Sequence, residues 1–290
     1  MTPKIPIWGH RGARGLFPEN TLEGFRAAMA LGVRAFELDV GVTADDAVVL
    51  SHDLALNPDI TRDADGRFLA GPGPLIRSLT LAELLRYDVG RTRRWSRTAM
   101  LFPHQRAMDG ARISLLADLL ALDPGLQLII ELKTDPRHPD WTVPATAMAD
   151  AVLAVVDAAG ARDRVIIESF DWRGPRHLRR LNADIRLAWL TRAETVRDAC
   201  LWWDVAFRGS VPQAVAAMGG DVWAPEHGDL TQPGLAEAHE LGLGVVPWTV
   251  NRPADVRRLA GWGVDGLITD YPDAAVQALG TSGGCVENIR

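Results

Sequence analysis

The chain has 290 residues, 47% of them hydrophobic and 23% charged, which suits one large domain or two ordinary ones. Its formal net charge of −6 and pI of about 5.7 exclude the overall positive charge that draws a protein to nucleic acid or to an anionic membrane. Two cysteines, Cys200 and Cys285, form neither a CxxC motif nor a disulfide framework.

The first residues lead directly into a predicted strand, without the apolar core of a signal peptide, and no apolar run looks long enough to cross a bilayer. We therefore expect a cytoplasmic protein with no membrane span and no nucleic-acid partner. Composition leaves the oligomeric state open.

Short apolar runs alternate with helical patterns along the chain. The runs that predict barrel strands are residues 5–9, 35–40, 126–132, 165–169, 186–190, 221–224, 244–250 and 266–269. A further run, 47–51, predicts a strand beside the second. Strands that alternate with helices indicate parallel βαβ units. About eight such units in roughly 250 residues favour a closed TIM (β/α)₈ barrel over an open sheet.

The intervening stretches carry helical spacing and caps. The first helix is predicted to begin at Asn20, with Glu23 three residues later as in a capping box, and to stop at Gly32. Further helices are predicted over residues 145–159, 212–218, 234–241 and 254–262.

Residues 54–112 depart from this regularity. They include Gly71-Pro72-Gly73-Pro74 and many charges, and they contain one clear helical pattern, at 81–87. We interpret 54–112 as an insertion within a single domain, 1–290, and not as a second domain. Loops of this length are usually functional or disordered.

Two carboxylates lie together at the end of the second predicted strand. Glu37 and Asp39 are two residues apart and therefore share a face, while Gly41 follows them. The carboxyl ends of barrel strands form the active-site face. Two adjacent carboxylates repel each other unless a cation neutralises them. They indicate either a cation site or, as the alternative, two solvated acids at an exposed strand end.

The same pattern recurs in the third predicted strand, where Glu131 ends an apolar run and Lys133 shares its face. A buried Glu–Lys ion pair is one interpretation. Together with Glu37 and Asp39, however, Glu131 predicts three carboxylates on one barrel rim. Such an all-oxygen site suits one divalent cation, Mg²⁺ or Ca²⁺, better than zinc.

Two histidines, His10 and His52, also close predicted strands. A single histidine in that position is more often a structural hydrogen-bonding group. Two on a rim with three acids favour general acid–base catalysis, since imidazole titrates near neutral pH. Arg11 follows His10 and offers a planar guanidinium to a phosphate. The chain has no Gly-x-Ser-x-Gly elbow and no P-loop.

These motifs, in this order, resemble those of the glycerophosphodiester phosphodiesterase family. The matching segments are His10-Arg11-Gly12, Pro18-Glu19-Asn20-Thr21, Glu37-Leu38-Asp39-Val40, His52-Asp53, Glu131-Leu132-Lys133, Ser169-Phe170, Trp248-Thr249-Val250-Asn251 and Asp265-Gly266-Leu267-Ile268-Thr269-Asp270. The resemblance spans nearly the whole chain. It implies a TIM barrel with an insertion after the second barrel strand, which 54–112 would supply.

By position, the resemblance also implies a role for each of eight residues. They are Glu37, Asp39 and Glu131 as metal ligands, His10 and His52 as acid–base residues, Arg11 and Lys133 as phosphate contacts, and Trp248 as a wall for the alcohol moiety. The implied reaction is metal-dependent hydrolysis of a small glycerophosphodiester to glycerol 3-phosphate and an alcohol. Either water or the neighbouring glycerol hydroxyl would attack phosphorus.

Two other functions stay open at this point. A phospholipase D or sphingomyelinase-D-like lyase has a similar set of histidines and acids, but would need an interfacial surface and often a disulfide, and the sequence indicates neither. A non-catalytic phosphodiester-binding barrel would be expected to lack a histidine or a metal carboxylate, whereas all five are present.

Two further pairs of residues are given structural interpretations. Trp202-Trp203 is the tryptophan pair predicted to be exposed, while most of the ten tryptophans are expected in core or rim packing. Asp265 and Asp270 flank the last predicted strand and are expected to fix loops and not to take part in catalysis.

Overall fold

A computed structural model describes residues 5–181 and 184–280. The strands in this part of the chain are β1 (Ile7–His10), β2 (Ala35–Val42), β3 (Val48–Leu50), β4 (Gln127–Leu132), β5 (Val165–Ser169), β6 (Arg186–Thr191), β7 (Val222–Pro225), β8 (Gly244–Val245) and β9 (Leu267–Thr269). The predicted strands are confirmed to within a few residues, except for the seventh barrel strand, β8, which is much shorter than predicted.

Eight of these strands are parallel neighbours, in the order β8-β7-β6-β5-β4-β2-β1-β9. Backbone hydrogen bonds close the ring just beyond β8: Ile268 donates to the carbonyl of Pro247 (3.1 Å), and Val250 donates to that of Ile268 (2.8 Å). β3 lies outside the ring and pairs antiparallel with β2, Val40 opposite Leu50. The predicted TIM (β/α)₈ barrel is confirmed.

Helices surround the barrel and connect its strands. They are α1 (Leu22–Ala30), α2 (Leu81–Leu84), α3 (Arg97–Leu101), α4 (Leu116–Leu120), α5 (Ala145–Ala158), α6 (Arg173–Arg180), α7 (Ala193–Arg197), α8 (Ala199–Trp202), α9 (Val211–Ala217), α10 (Gln232–Glu240), α11 (Pro253–Trp262) and α12 (Pro272–Leu279).

Strand alternation divides the core into two layers. Phe36, Leu38 and Val40 of β2 pack outward in the layer between strands and helices. Glu37 and Asp39 therefore point into the barrel. Beneath them the barrel is filled by apolar side chains, namely Trp8, Ala35, Ile129, Ile166, Ala188, Leu190, Val222, Ala224, Val246 and Ile268. The carboxylates of Glu37 and Asp39 therefore lie above a layer of apolar side chains.

The predicted cap of α1 was wrong by one residue. Thr21, not Asn20, is the N-cap, and its hydroxyl accepts a hydrogen bond from the N–H of Gly24. Asn20 has φ of 53° and is not part of the helix. Its side-chain amide instead donates to Asp39 Oδ2 at 3.0 Å. Gly32, with φ of 90°, ends the helix as predicted.

The strand predicted over 244–250 is regular only at Gly244–Val245. Pro247 has no N–H and so cannot donate to a neighbouring strand. Beyond it, Trp248 donates to the carbonyl of Pro225 at 3.1 Å and accepts from His227 at 2.7 Å. Pairing continues as single hydrogen bonds, which hold Trp248 at the mouth of the barrel.

Residues 54–112 lie between β3 and α4, and Leu56, Ile76, Leu84 and Val89 form a small core together with Val49 of β3. The helix predicted at 81–87 ends at Leu84, and α3 in the same stretch was not predicted. That 1–290 forms a single domain stays a prediction, and Cys285 lies outside the described residues.

One stretch of the described chain, Pro139–Ala158, passes a length-and-composition test for a membrane span. Its regular helix, α5, begins only at Ala145 and is 14 residues long, about 21 Å, which is shorter than the roughly 30 Å core of a bilayer. Met148, Ala149, Val152 and Val156 of α5 pack against the barrel. One face of α5 therefore packs against the barrel.

The prediction that Trp202-Trp203 is exposed was wrong. The two residues retain only 4% and 3% of their accessible surface. The ring of Trp203 stacks on that of Trp172 with centroids 4.0 Å apart. The pair is part of the outer core, and Trp202 also reaches the wall of the central cavity.

Candidate active site

Three buried carboxylates converge at the carboxyl ends of β2 and β4. Asp39 and Glu131 are register partners on adjacent strands, and Glu37 lies one inward position earlier on β2. One oxygen of each of the three lies within 4.8 Å of the others. Their residue exposures are 3% for Glu37, 0% for Asp39 and 8% for Glu131. These three oxygen donors could hold a metal ion.

A fourth acid stands beside them. Glu168 on β5 is the register partner of Glu131 and is 1% exposed. Its Oε2 has no hydrogen-bond partner among the described residues. Sequence reasoning missed Glu168, although it ends an apolar run, Val165–Ile167, just as Glu131 does. The same strand-end signal could have found it.

Burial dominates the ionisation of these acids. It raises the pKa of Glu131 to about 7, and the charge of Asp39 adds to the effect. It also raises the pKa of Glu37 and Glu168 well above the usual range, with help from neighbouring carboxylates. A cation among them would favour their ionised forms.

Asp39 behaves differently. Although burial opposes its ionisation, Arg11 and Lys133 hold its pKa well below the usual value. Arg11 Nε lies 3.1 Å from Asp39 Oδ2, and Lys133 Nζ lies 3.4 Å from Oδ1. Lys133 also contacts Glu131 at 2.8 Å. Part of the negative charge is thus already balanced by the protein itself.

The positive charges of Arg11 and Lys133 do not fully balance the negative charges of the buried acids. Four buried acids, Glu37 included, face two permanent cations in this cluster. Among residues 5–181 and 184–280, the carboxylate of Glu37 accepts a hydrogen bond only from the backbone N–H of Arg11, at 3.3 Å, and lies 3.6 Å from His10 Nε2. Arg11 also pairs with Glu19 at 3.0 Å, so the two cations do not balance the four acids when these are ionised, and a bound cation would offset the excess negative charge.

His10 is the last residue of β1, and a carboxylate fixes the position of its ring. Its Nδ1 lies 2.5 Å from Asp270 Oδ1, at the end of β9. Asp270 is fixed by Asn251 (2.6 Å) and Arg14 (2.8 Å). Burial lowers the pKa of His10 to about 4, against the opposing charge of Asp270. His10 is therefore neutral near pH 7, with its Nε2 toward the acids.

The prediction for Asp270 therefore needs correction. Asp265 does fix a loop, through the N–H of Val245 and the ring of His239. Asp270 instead orients a predicted catalytic residue. Since the two aspartates flank the same strand, sequence spacing alone did not distinguish them.

His52 follows β3 and stands on the other side of the cavity. Its Nδ1 lies 2.8 Å from Asp53 Oδ1, and Asn57 donates to Asp53 Oδ2 at 2.6 Å. Burial, followed by the charges of Arg11 and Lys133, lowers the pKa of His52. The hydrogen bond from His52 contributes to lowering the pKa of Asp53 to about 2, against the effect of burial. Both histidines thus share one arrangement, a ring nitrogen held by an ionised aspartate.

Aromatic side chains line the side of the cavity next to β5–β8. Trp248 donates through Nε1 to the carbonyl of Ala224 at 2.9 Å and meets the ring of Phe170 edge-on, with centroids 5.4 Å apart. Arg192 lies over Phe170, and Arg137 lies over Trp202. This wall is apolar at its base and charged at its rim.

All of these groups surround one cavity of about 360 Å³. Seven of the eight predicted site residues line it, and the eighth, Asp39, lies directly beneath, within the carboxylate cluster. The arrangement combines oxygen ligands, two oriented imidazoles and two cations at the active-site face of a barrel. It defines a barrel hydrolase suited to a small anionic ester.

Comparison with known proteins agrees with this class. The model of the glycerophosphoryl diester phosphodiesterase family matches residues 10–274. The chain therefore belongs to that family, and it is a phosphodiesterase of that kind.

Relatives of full length share the match. A glycerophosphodiester phosphodiesterase of Caldanaerobacter subterraneus is 26% identical over 282 residues, which covers 97% of this chain and all of the relative. One of Bacillus altitudinis is 26% identical over 272 residues, covering 93% of this chain and 96% of the relative.

Solved structures have the same fold. A Silicibacter pomeroyi protein assigned as a glycerophosphoryl diester phosphodiesterase superposes with a TM-score of 0.88 at 40% identity, covering 97% of this chain and 95% of that one. An Oleispira antarctica phosphodiesterase, in complex with the product sn-glycerol-3-phosphate, gives 0.73 at 20% identity, covering 95% and 97%.

Proposed function

We propose that this protein hydrolyses glycerophosphodiesters to glycerol 3-phosphate and an alcohol with the help of one divalent cation. The observation that carries the proposal is the cluster of Glu37, Asp39 and Glu131, which lies between two histidines at one cavity. Family membership and the product complex of the Oleispira antarctica enzyme support the same substrate class.

The cation would be held by Glu37, Asp39 and Glu131. Carboxylate oxygens without a thiolate or imidazole in the set favour Mg²⁺ or Ca²⁺. When bound, such an ion offsets the negative charge that develops on the phosphate. The raised pKa of Glu131, about 7, supports the assignment, since this carboxyl lacks enough positive charge from the protein alone.

His10 and His52 would carry out the proton transfers. Asp270 and Asp53 have lowered pKa values and are ionised, so each accepts a hydrogen bond from the Nδ1–H of its histidine. Each Nε2 is then the nitrogen available to substrate. One neutral Nε2 takes a proton from the attacking water or glycerol hydroxyl. The other histidine must be protonated on both nitrogens, and its Nε2–H then gives a proton to the departing alcohol.

Arg11 and Lys133 would bind the phosphoryl oxygens. Both are buried cations at the cavity wall, and neighbouring carboxylates raise the pKa of each despite burial. Charge-assisted hydrogen bonds from two such groups orient the diester and stabilise charge at phosphorus. Once Glu131 and Asp39 serve a cation, the Nζ of Lys133 is free to turn toward the phosphate.

The alcohol moiety would lie against Trp248 and Phe170. His10, His52 and the three proposed metal ligands come from β1–β4, whereas Phe170 and Trp248 follow β5 and β8, so the aromatic residues leave room for the group beyond phosphorus. A fixed ring offers apolar contact at a low entropic cost. The two arginines at the rim add hydrogen-bond donors for a polar head group.

The test is a panel of diesters assayed with Mg²⁺, Ca²⁺ or EDTA for released glycerol 3-phosphate. We expect turnover of water-soluble diesters such as glycerophosphocholine, and its loss in EDTA. Turnover confined to a lysolipid, with a cyclic phosphate product, would favour the lyase alternative. Tight binding of a cation without hydrolysis of any diester would favour a binding barrel. A cytoplasmic location and a role in glycerol or lipid metabolism stay predictions.

A further inference from the structure

An isolated run of positive charge lies in the insertion. Residues 91–106, here named the arginine segment, contain five arginines (Arg91, Arg93, Arg94, Arg97 and Arg106) and no aspartate or glutamate, although the chain as a whole carries a net charge of −6. Overall charge therefore conceals a local basic surface.

Three of these arginines are exposed and directed to solvent. Arg91 pairs with Asp109, and Arg93 reaches inward over the ring of Phe68. In residues 5–181 and 184–280, by contrast, no carboxylate lies within 4 Å of the guanidinium of Arg94, Arg97 or Arg106. Their charge is not balanced by neighbouring acids.

Large apolar side chains stand among these arginines. Trp95 is 77% exposed, Met100 67% and Leu101 57%. Met100 and Leu101 lie three and four residues after Arg97 on α3, so the three share one face of the helix. A soluble surface normally keeps such side chains covered or scattered. Here they are grouped within seven residues.

The backbone holds the tryptophan outward. Trp95 has φ of 65°, a left-handed conformation that a bulky residue rarely adopts. The guanidinium of Arg94 lies over its ring at 4.8 Å from the centroid. Unfavourable backbone conformations of this kind tend to persist where they serve a function. The backbone conformation of Trp95 therefore keeps its side chain in the exposed position.

The arginine segment also borders the mouth of the cavity. Phe102, next to Leu101, is covered by the guanidinium of Arg14, which lines the cavity. Gln105 donates to the carbonyl of Arg14 at 2.7 Å, and the N–H of Arg106 donates to that of Leu16. A surface that bound the segment would lie beside the entrance to the active site.

We propose that the arginine segment docks the protein reversibly on an anionic lipid surface. Tryptophan, methionine and leucine enter the boundary between head groups and acyl chains, while the arginines pair with lipid phosphates. This combination fits a lipid surface better than nucleic acid, which offers no apolar layer to Met100 and Leu101. Docking itself does not depend on the reaction. Taken together with the proposed function, on which this last step rests, it would place the enzyme where phospholipid breakdown supplies glycerophosphodiesters.

The experiment is sedimentation of the full-length protein with vesicles of phosphatidylglycerol or of phosphatidylcholine alone. We expect binding to the anionic vesicles and weak binding to the neutral ones. About 0.5 M salt should release most of the protein, since screening shortens the reach of the arginines. The triple variant Arg94→Glu, Arg97→Glu, Arg106→Glu should bind at least about tenfold more weakly.

A second variant isolates the apolar contribution. Trp95→Ala with Leu101→Ala should weaken vesicle binding at unchanged charge, and the blue shift of tryptophan fluorescence on binding should shrink. The matched controls are Arg26→Glu, Arg180→Glu, Arg257→Glu for charge and Trp141→Ala with Leu241→Ala for apolar surface, all at exposed positions on other helices or loops.

The vesicle-binding results distinguish docking by the arginine segment from non-specific effects of charge or apolar surface. Controls that bind like wild type, with both test variants weakened, support the proposal. No binding of wild type to anionic vesicles, equal loss in the controls, or binding to DNA but not to vesicles would overturn it. Hydrolysis of soluble diesters is expected to persist in both test variants, so failure here leaves the proposed reaction untouched.

Discussion

Nδ1 of His10 lies 2.5 Å from Oδ1 of Asp270, although 260 residues separate the two in the chain. The pair exists because β1 and β9 are neighbours in the closed barrel. Asn251 and Arg14 hold the same aspartate, so its position does not depend on His10 alone. A carboxylate in this position fixes the tautomer of the imidazole and stabilises its protonated form.

Replacing this carboxylate should therefore impair proton transfer while leaving the fold intact. We expect Asp270→Asn to lower kcat by roughly 10²–10⁴-fold with a smaller change in KM. Because the charge of Asp270 raises the pKa of His10, the variant should also move the His10 titration below its present value of about 4. Steady-state kinetics and imidazole NMR would measure the two effects. Asp273→Asn, exposed on α12, is the control, and an equal loss there would contradict the assigned role.

The two histidines give a direct test of the reaction. His10→Ala and His52→Ala should each cost about 10²–10⁴-fold in kcat at saturating cation, since each removes one acid–base group. His177→Ala, which removes a hydrogen-bond contact with Asp150 away from the cavity, serves as a control and should retain activity. The measurement is release of glycerol 3-phosphate from a soluble diester. Near-full turnover in both single variants would show that other groups move the protons.

Much of this site could be predicted from strand periodicity alone. Glu37, Asp39 and Glu131 each follow the rule that inward residues at the carboxyl ends of barrel strands meet, and Asp39 and Glu131 are indeed register partners. The same rule applied to Val165–Ser169 would have added Glu168. The sequence therefore contains the signal that identifies Glu168.

Other features could not be predicted because they depend on contacts between distant parts of the chain. Asn20 is of a residue type that often caps helices, yet its side-chain amide donates to Asp39. Thr21 is the N-cap instead. Trp202 is buried because α8 folds back onto the outer core, which no local pattern indicates. Whether a tryptophan is covered depends on tertiary packing, and periodicity gives no information on it.

Cation affinity should rise with pH. Glu131 has a pKa of about 7 and must lose its proton before it can serve as a ligand. Between pH 6 and 8 we expect affinity for Ca²⁺ or Mg²⁺ to increase by at least about tenfold, the contribution of the Glu131 proton, because the pKa of Glu37 is raised as well. Isothermal titration calorimetry in two buffers would measure both the affinity and the released protons. Glu131→Gln should bind more weakly, while exposed Glu23→Gln should match wild type. Affinity independent of pH would show that Glu131 does not titrate in this range, and wild-type affinity in Glu131→Gln would exclude it as a ligand.

Without a cation, the same carboxyl should destabilise the fold at neutral pH. Its folded pKa lies above the ordinary value of 4.5, so its stabilising contribution is complete below about pH 4.5 and is lost as pH rises through about 7. In EDTA, wild type should therefore lose stability relative to Glu131→Gln across this range. Urea unfolding at several pH values gives the difference, in which contributions from His10 and Asp270 cancel. A constant difference would mean that Glu131 titrates normally.

Gly9 packs closely against the turn that carries His10 and Arg11. A Cβ at this position would stand 2.1 Å from the carbonyl oxygen of Gly12 and 3.1 Å from the ring of Phe36. The turn that carries His10 and Arg11 would have to move, at a cost of about 1–3 kcal/mol. We expect Gly9→Ala to lower the free energy of unfolding by that amount and also to reduce kcat, as urea denaturation and kinetics would show. Gly71→Ala, where no atom lies within 4 Å of the added carbon, should change neither. If Gly9→Ala were as stable and active as Gly71→Ala, the close approach of β1 to this turn would not exist.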